Sequence, residues 1–253
     1  MGEYPDLAGK VAVVTGGSRG IGAATAGALA ANGACVAVVG RDLQAIDATV
    51  AVIEADGGTA IGVPADCTVA DEVAQLAAEV GNRLGPVDVL AAFAGGEGWP
   101  IPTVKENGEH WRQVVDANLT STFLTVSAFL PSMLEQHAGA IVTMSSAAGR
   151  QAARSSAAYA AAKAGVVAFS RHLAAEVAGD GIRVNCVAPS AVENDRMRAA
   201  MTEDQRKELG AQWPLRRIGQ PADVAAATLF LASSDSSWIT GVTLDVAGGK
   251  VMP

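Results

Sequence analysis

The fold is decided by the stretch Val11-Ala12-Val13-Val14-Thr15-Gly16-Gly17-Ser18-Arg19-Gly20-Ile21-Gly22. A short β-branched run ends in a glycine-rich turn, and an Ala-rich helical pattern follows over Ile21–Ala31. Glycines at such a turn let the backbone approach a pyrophosphate, and the helix start favours the negative charge. The glycine spacing is GxxxGxG rather than GxGxxG. A tight strand-to-helix turn without a ligand would use the same residues.

Further strand candidates are Cys35–Gly40, Ala60–Pro64, Val87–Ala92, Ala140–Met144, Ile182–Ala188 and Val242–Val246. Helical patterns lie between them at Leu43–Ala55, Ala70–Leu84, Gly108–Gln136, Ser156–Ala178 and Ala222–Ala232. Strict β-α alternation predicts an α/β fold of Rossmann type: a doubly wound parallel sheet of seven strands with helices on both faces. The strand runs are apolar on both sides, as a sandwiched parallel sheet requires. No linker or repeat interrupts the chain, so residues 1–253 read as one domain. Two loops are longer than usual, Gly95–Asn107 and Ser190–Gln220, the second with helical pattern around Met197–Leu209. Both follow strands and so belong to the carboxyl end of the sheet, where ligands bind. Residues 190–220 are expected to form a substrate lid.

Composition excludes several classes. The net charge is −8 and basic runs are missing, which argues against a nucleic-acid partner. Cys35, Cys67 and Cys186 form no metal-ligand pattern, and no metal site is expected. The polar start, Met1 to Lys10, has no apolar signal core, and no stretch has the ~18 apolar residues of a membrane span. A soluble cytoplasmic protein is expected.

The second strand ends in Gly40-Arg41-Asp42. An acid at Gly40 would bind an adenosine ribose and repel a 2′-phosphate. Its absence, with Arg41 following and Arg19 in the turn, predicts NADP(H). Asp42 is a contrary sign, since a carboxylate there weakens phosphate binding. Tyr159 and Lys163 stand at i, i+4 on one helix face. A nearby ammonium favours the phenolate, and a phenol so tuned can exchange a proton near neutral pH. Ser146, just past the fifth strand, can donate to a substrate oxygen that gains negative charge. His110, His137 and His172 are scattered, and no GxSxG elbow is present.

Together these landmarks resemble the short-chain dehydrogenase/reductase family in its single-domain form. They run in order: Thr15–Gly22, Asp66, Ala94-Gly95, Asn118, Ser146, Tyr159 with Lys163, Asn185 to Pro189, and Val246-Ala247-Gly248-Gly249. The resemblance implies that Tyr159 transfers the proton, Ser146 orients the carbonyl and Lys163 holds the nicotinamide ribose. Asn118 would help hold a water linking Lys163 to solvent. It also implies cofactor contacts from Gly16, Ser18, Arg19, Gly20, Ile21, Gly22, Gly40, Arg41, Asp66, Cys67, Ala94, Gly95, Pro189, Ser190, Val192 and Asn194. A homotetramer or homodimer through Gly108–Gln136 and Ser156–Ala178 is implied as well.

Some positions depart from the family pattern. Ala92-Phe93 replace paired asparagines, Ser190 replaces a glycine, Asn194 a threonine and Ala247 an aspartate. The general resemblance is to 3-oxoacyl-carrier-protein reductases, whose basic docking positions read His137 and Asp180 here. With the negative net charge, this predicts a free small or medium-sized carbonyl or alcohol substrate, with a carrier-protein substrate as the alternative. A non-catalytic dinucleotide-binding regulator is a further alternative, disfavoured by the complete Asn118, Ser146, Tyr159, Lys163 set.

Overall fold

In the computed structural model, which describes residues 2–96 and 98–252 (Met1, Glu97 and Pro253 lie outside), seven parallel strands form one sheet. The strands are β1 Val11–Thr15, β2 Cys35–Gly40, β3 Thr59–Pro64, β4 Val89–Ala92, β5 Gly139–Met144, β6 Ile182–Pro189 and β7 Thr243–Val246. Their order is β3-β2-β1-β4-β5-β6-β7. The chain leaves β1 in one direction and returns on its other side at β4. Helices α1 Gly20–Ala31, α2 Leu43–Ala55 and α3 Ala70–Leu84 make the first connections. The β1–β4 junction is therefore the switch point, and a crevice opens there beyond the strand ends.

Side-chain alternation along β1 explains the two core layers. Ala12 and Val14 pack with Leu29 of α1 and with Leu229 of a late helix, α9 Pro221–Ala232. Val13 faces the opposite side with Leu90, Leu76, Phe129 and Met133. Each fully buried leucine contributes about 1.5–3 kcal/mol. No helix among the described residues is long and apolar enough to cross a membrane.

Two helical spans differ from the sequence reading. Gly108–Gln136 is not one regular helix but α4 Gly108–Val115, a π-turn Asp116–Thr120 and α5 Ser121–Gln136. The cause is Asn118, whose buried Nδ2 donates to the Val114 carbonyl at 2.8 Å and so inserts into the i, i−4 ladder. The span Met197–Leu209 divides into α7 Asp195–Ala200 and α8 Glu203–Gly210, because Thr202 and Gln205 form a capping box that starts a new helix. Between them in the chain lies α6 Ala157–Val177, the long helix that carries Tyr159 and Lys163.

Candidate active site

The glycine turn is built for close approach. Gly16 has φ 66°, and a Cβ there would stand 2.9 Å from the Phe93 carbonyl oxygen. A Cβ at Gly22 would overlap the Gly16 carbonyl, whereas Gly20, at φ 54°, faces open space. No side chain caps α1, so its first-turn N–H groups remain directed at whatever occupies the turn. This open cradle fits the diphosphate of a dinucleotide.

Beside it, a Cβ on Gly40 would lie 2.9 Å from Ser18 Oγ, a side-chain tip that can turn aside. Arg19 pairs with Asp42 at 2.6 Å, and Arg41 stands 3.8 Å from Asp66. Asp42 caps α2 by accepting the Ala45 N–H at 3.1 Å. The Ala45 bond, then Arg19, holds its carboxyl below the usual range. The contrary sign in the sequence is thus a helix cap. Burial acts to raise the Asp66 pKa, but the Thr68 N–H and hydroxyl, with Arg41, bring it below normal. Cys67 is buried, and burial pushes its thiol up to about 11.

Ser146, Tyr159 and Lys163 come together past the ends of β4 and β5. Ser156 caps α6 by accepting the Tyr159 N–H at 3.2 Å, which puts the tyrosine in the first turn. Lys163 is buried, its Nζ donates to the Met144 carbonyl at 2.9 Å, and it lies 5.7 Å from the Tyr159 ring centre. Burial lowers its pKa to about 8. Burial also raises the Tyr159 pKa, with the Ser146 hydroxyl pulling the other way. Burial therefore outweighs the Ser146 hydroxyl, and the phenol is raised rather than lowered in this arrangement. Gly95 completes the junction: a Cβ there would lie 2.7 Å from Asn118 Oδ1 and 3.3 Å from Lys163 Nζ. Asn118 grips Gly96 reciprocally, Oδ1 accepting its N–H and Nδ2 donating to its carbonyl, each at 2.9 Å.

The departures have structural partners. Thr15 Oγ1 accepts the N–H of Phe93 at 3.0 Å and of Ala94 at 3.1 Å, and the Phe93 ring is buried in the core. Ser190 Oγ accepts from Trp213 Nε1 at 3.0 Å. Trp213 is a buried anchor, whereas Trp99 is 57% exposed, with Arg196 of α7 5.7 Å over its ring. Asn194 caps α7 by accepting the Met197 N–H at 2.8 Å. Val192, after Pro189, bridges to Gly219 and fixes the base of the 190–220 segment. A cavity of about 400 Å³ lies behind Ser190 and Val192, walled by Trp213, Leu215 and Gly248.

The sequence reading passed over three features. Gly98 lies on Tyr159, since a Cβ there would meet ring carbons at 2.9 Å. Arg150 and Asp245 form a bidentate pair at 3.0–3.3 Å that ties the segment after Ser146 to β7. Glu106 is buried against His110. Only a glycine-rich run, Gly95-Gly96 with Gly98, signalled the first; the others join residues with no local pattern.

A family model described as Enoyl-(Acyl carrier protein) reductase matches residues 16–250. The 3-oxoacyl-[acyl-carrier-protein] reductase of Synechocystis sp. is 43% identical over 249 residues, 97% of this chain and 98% of that protein. The Escherichia coli reductase of the same name, FabG, is 38% identical over 245 residues, covering 96% and 98%. The crystal structure of actinorhodin polyketide ketoreductase with NADPH superposes with a TM-score of 0.90 at 34% identity, covering 95% of this chain and 96% of that one.

Proposed function

Because the chain belongs to the short-chain dehydrogenase/reductase family of oxidoreductases, we propose that it reduces the 3-oxo group of an acyl thioester to a hydroxyl, using NADPH. The observation that carries this is the gathering of Ser146, Tyr159 and Lys163 beside the open glycine cradle. Gly16 to Gly22 would hold the diphosphate, Arg41 and Arg19 the 2′-phosphate, and Asp66 and the Cys67 backbone the adenine. Ala94, Gly95, Pro189, Ser190, Val192 and Asn194 would line the nicotinamide end. NADPH would supply the hydride. Ser146 orients the ketone oxygen, and Tyr159 gives that oxygen its proton. Lys163 keeps positive charge near the phenol and holds the ribose. Residues 190–220 act as a lid in a single-domain enzyme.

A second reading, a free carbonyl compound, is favoured by one observation. His137 and Asp180 stand where the resembled reductases place docking cations, and they are neighbours, since a Cβ on Gly181 would press on the His137 carbonyl. NADPH oxidation with a 3-oxoacyl carrier protein, acetoacetyl-coenzyme A and ethyl acetoacetate separates the two. Preference for the carrier-linked substrate supports the first reading, and equal rates support the second. Cofactor binding with no turnover of any of them, in wild type as in Tyr159→Phe, overturns both in favour of a regulator.

The reading includes a cytoplasmic location, with support from three unpaired cysteines among the described residues. It includes a homotetramer or homodimer through α4–α5 and α6. Half-exposed Phe123, whose ring packs edge-on against Phe169 of α6, and exposed Ala161, Ala164 and Ala168 support that surface. Phe123→Glu should give smaller species by light scattering; an unchanged mass would move the interface elsewhere.

A further inference from the structure

Glu106 ends the loop that runs from Gly95, and its side chain is only 3% exposed. A carboxylate removed from water must be matched by donors. Glu106 has two. One oxygen lies 3.0 Å from His110 Nδ1 on α4, and the other accepts the Ala158 N–H at 3.3 Å in the first turn of α6. Helix starts leave orphan N–H groups, and a negative charge there is favourable. Ser156 takes the Tyr159 N–H and Glu106 takes the Ala158 N–H, so they divide the donors at the start of the tyrosine helix.

The other end of the loop is pinned as well, by the reciprocal Asn118–Gly96 bonds. Between the two fastenings, Gly98 rests on the Tyr159 ring. These two points fasten the loop on either side of the phenol.

We propose that Glu106 is a positioning residue that clasps residues 98–107 to the start of α6, and so sets the substrate space over Tyr159 without touching a reacting atom. This rests on the reading of Tyr159 as the proton donor. The clasp joins three parts of the chain: the loop, α4 through His110 and α6 through Ala158. Releasing it frees the loop and leaves Tyr159 capped by Ser156. Its effect therefore falls on substrate affinity more than on proton transfer.

The test uses the full-length protein as Glu106→Ala and Glu106→Gln. Hydrogen exchange read by mass spectrometry should quicken in Glu106→Ala at residues 98–107 and at Ala158 and stay unchanged in β1–β6. With saturating NADPH and ethyl acetoacetate, KM should rise about 10-fold, the effect of one charge-assisted hydrogen bond, while kcat changes less than about 3-fold. Glu106→Gln, whose amide oxygen can still accept the Ala158 N–H, should restore most of the protection. Unchanged exchange in Glu106→Ala overturns the clasp, as does faster exchange throughout the sheet or a fall in kcat at constant KM. If wild type leaves ethyl acetoacetate unreduced, the functional reading fails for that substrate, and the exchange result still decides the clasp.

Discussion

The Lys163 ammonium donates to the Met144 carbonyl at 2.9 Å while lying 5.7 Å from the Tyr159 ring centre. It is a buried cation with no carboxylate within 4.0 Å among the described residues, and burial brings its pKa from 10.5 to about 8. Below pH 8 the charge is present in folded and unfolded chains alike, and its burial opposes folding in full. Between about 8 and 10.5 the folded lysine is neutral while the unfolded one still binds a proton, so this group makes the fold more stable as pH rises. Urea unfolding of wild type and Lys163→Met from pH 7 to 10 should show wild type gaining on the variant across that window. In the proposed mechanism the ammonium serves reduction, so kcat/KM should fall above pH 8. A gap independent of pH would contradict the buried charge.

Cofactor selectivity should follow the end of β2. Arg41 is exposed and its contact with Asp66 is long, 3.8 Å, so it is free to turn to a phosphate. Arg41→Ala should weaken NADPH binding about 10- to 100-fold, as expected for a lost charge-assisted contact, and leave NADH affinity nearly unchanged. Gly40→Asp should weaken NADPH binding, because its carboxylate repels the 2′-phosphate, and should strengthen NADH binding, with the Ser18 hydroxyl turning aside from the new Cβ. The double change with Ser18→Gly should bind NADH better. Fluorescence titration of both cofactors checks all three.

Gly95 is irreplaceable on two counts. Its φ of 150° is one that side chains rarely adopt, and a Cβ would press on Asn118 Oδ1 at 2.7 Å. Gly95→Ala should cost about 1–3 kcal/mol of stability and lower kcat, since it displaces the group that fixes Gly96 and stands beside Lys163. Denaturant midpoints and turnover measured together check this; wild-type values for both would refute it.

The Arg150–Asp245 pair is mostly buried and bidentate. Removing one partner leaves a partly exposed charge without its match, at a cost of about 1–3 kcal/mol, whereas replacing both with apolar residues is milder. Arg150→Met should therefore unfold at lower denaturant than Arg150→Met combined with Asp245→Leu. Equal midpoints would show that the pair does not hold the segment after Ser146 to β7.

Particular residues show how far the sequence could be read. Val11–Gly22 announced its strand, turn and helix because the determinants are local: β-branching, glycine freedom and helical spacing. Tyr159 and Lys163 were legible because four residues along one helix always share a face. Asn118 was legible as a landmark, but the π-turn around it was not, because its cause is a side-chain bond to Val114 that competes with the regular ladder. Asp42 read as an unwelcome charge and is a helix cap satisfied by Ala45 and Arg19.

The sequence by itself determined the alternation of elements, the position of the glycine turn and that Tyr159 and Lys163 share one helix face, since each of these depends on neighbours a few residues apart. Tertiary structure alone decided that Glu106 meets Ala158, that Arg150 meets Asp245, and that burial sets the Lys163 and Tyr159 protons in opposite directions. Those outcomes depend on contacts between distant segments and on exclusion of water. Neither exists until the sheet has closed and the loops have settled over its carboxyl edge.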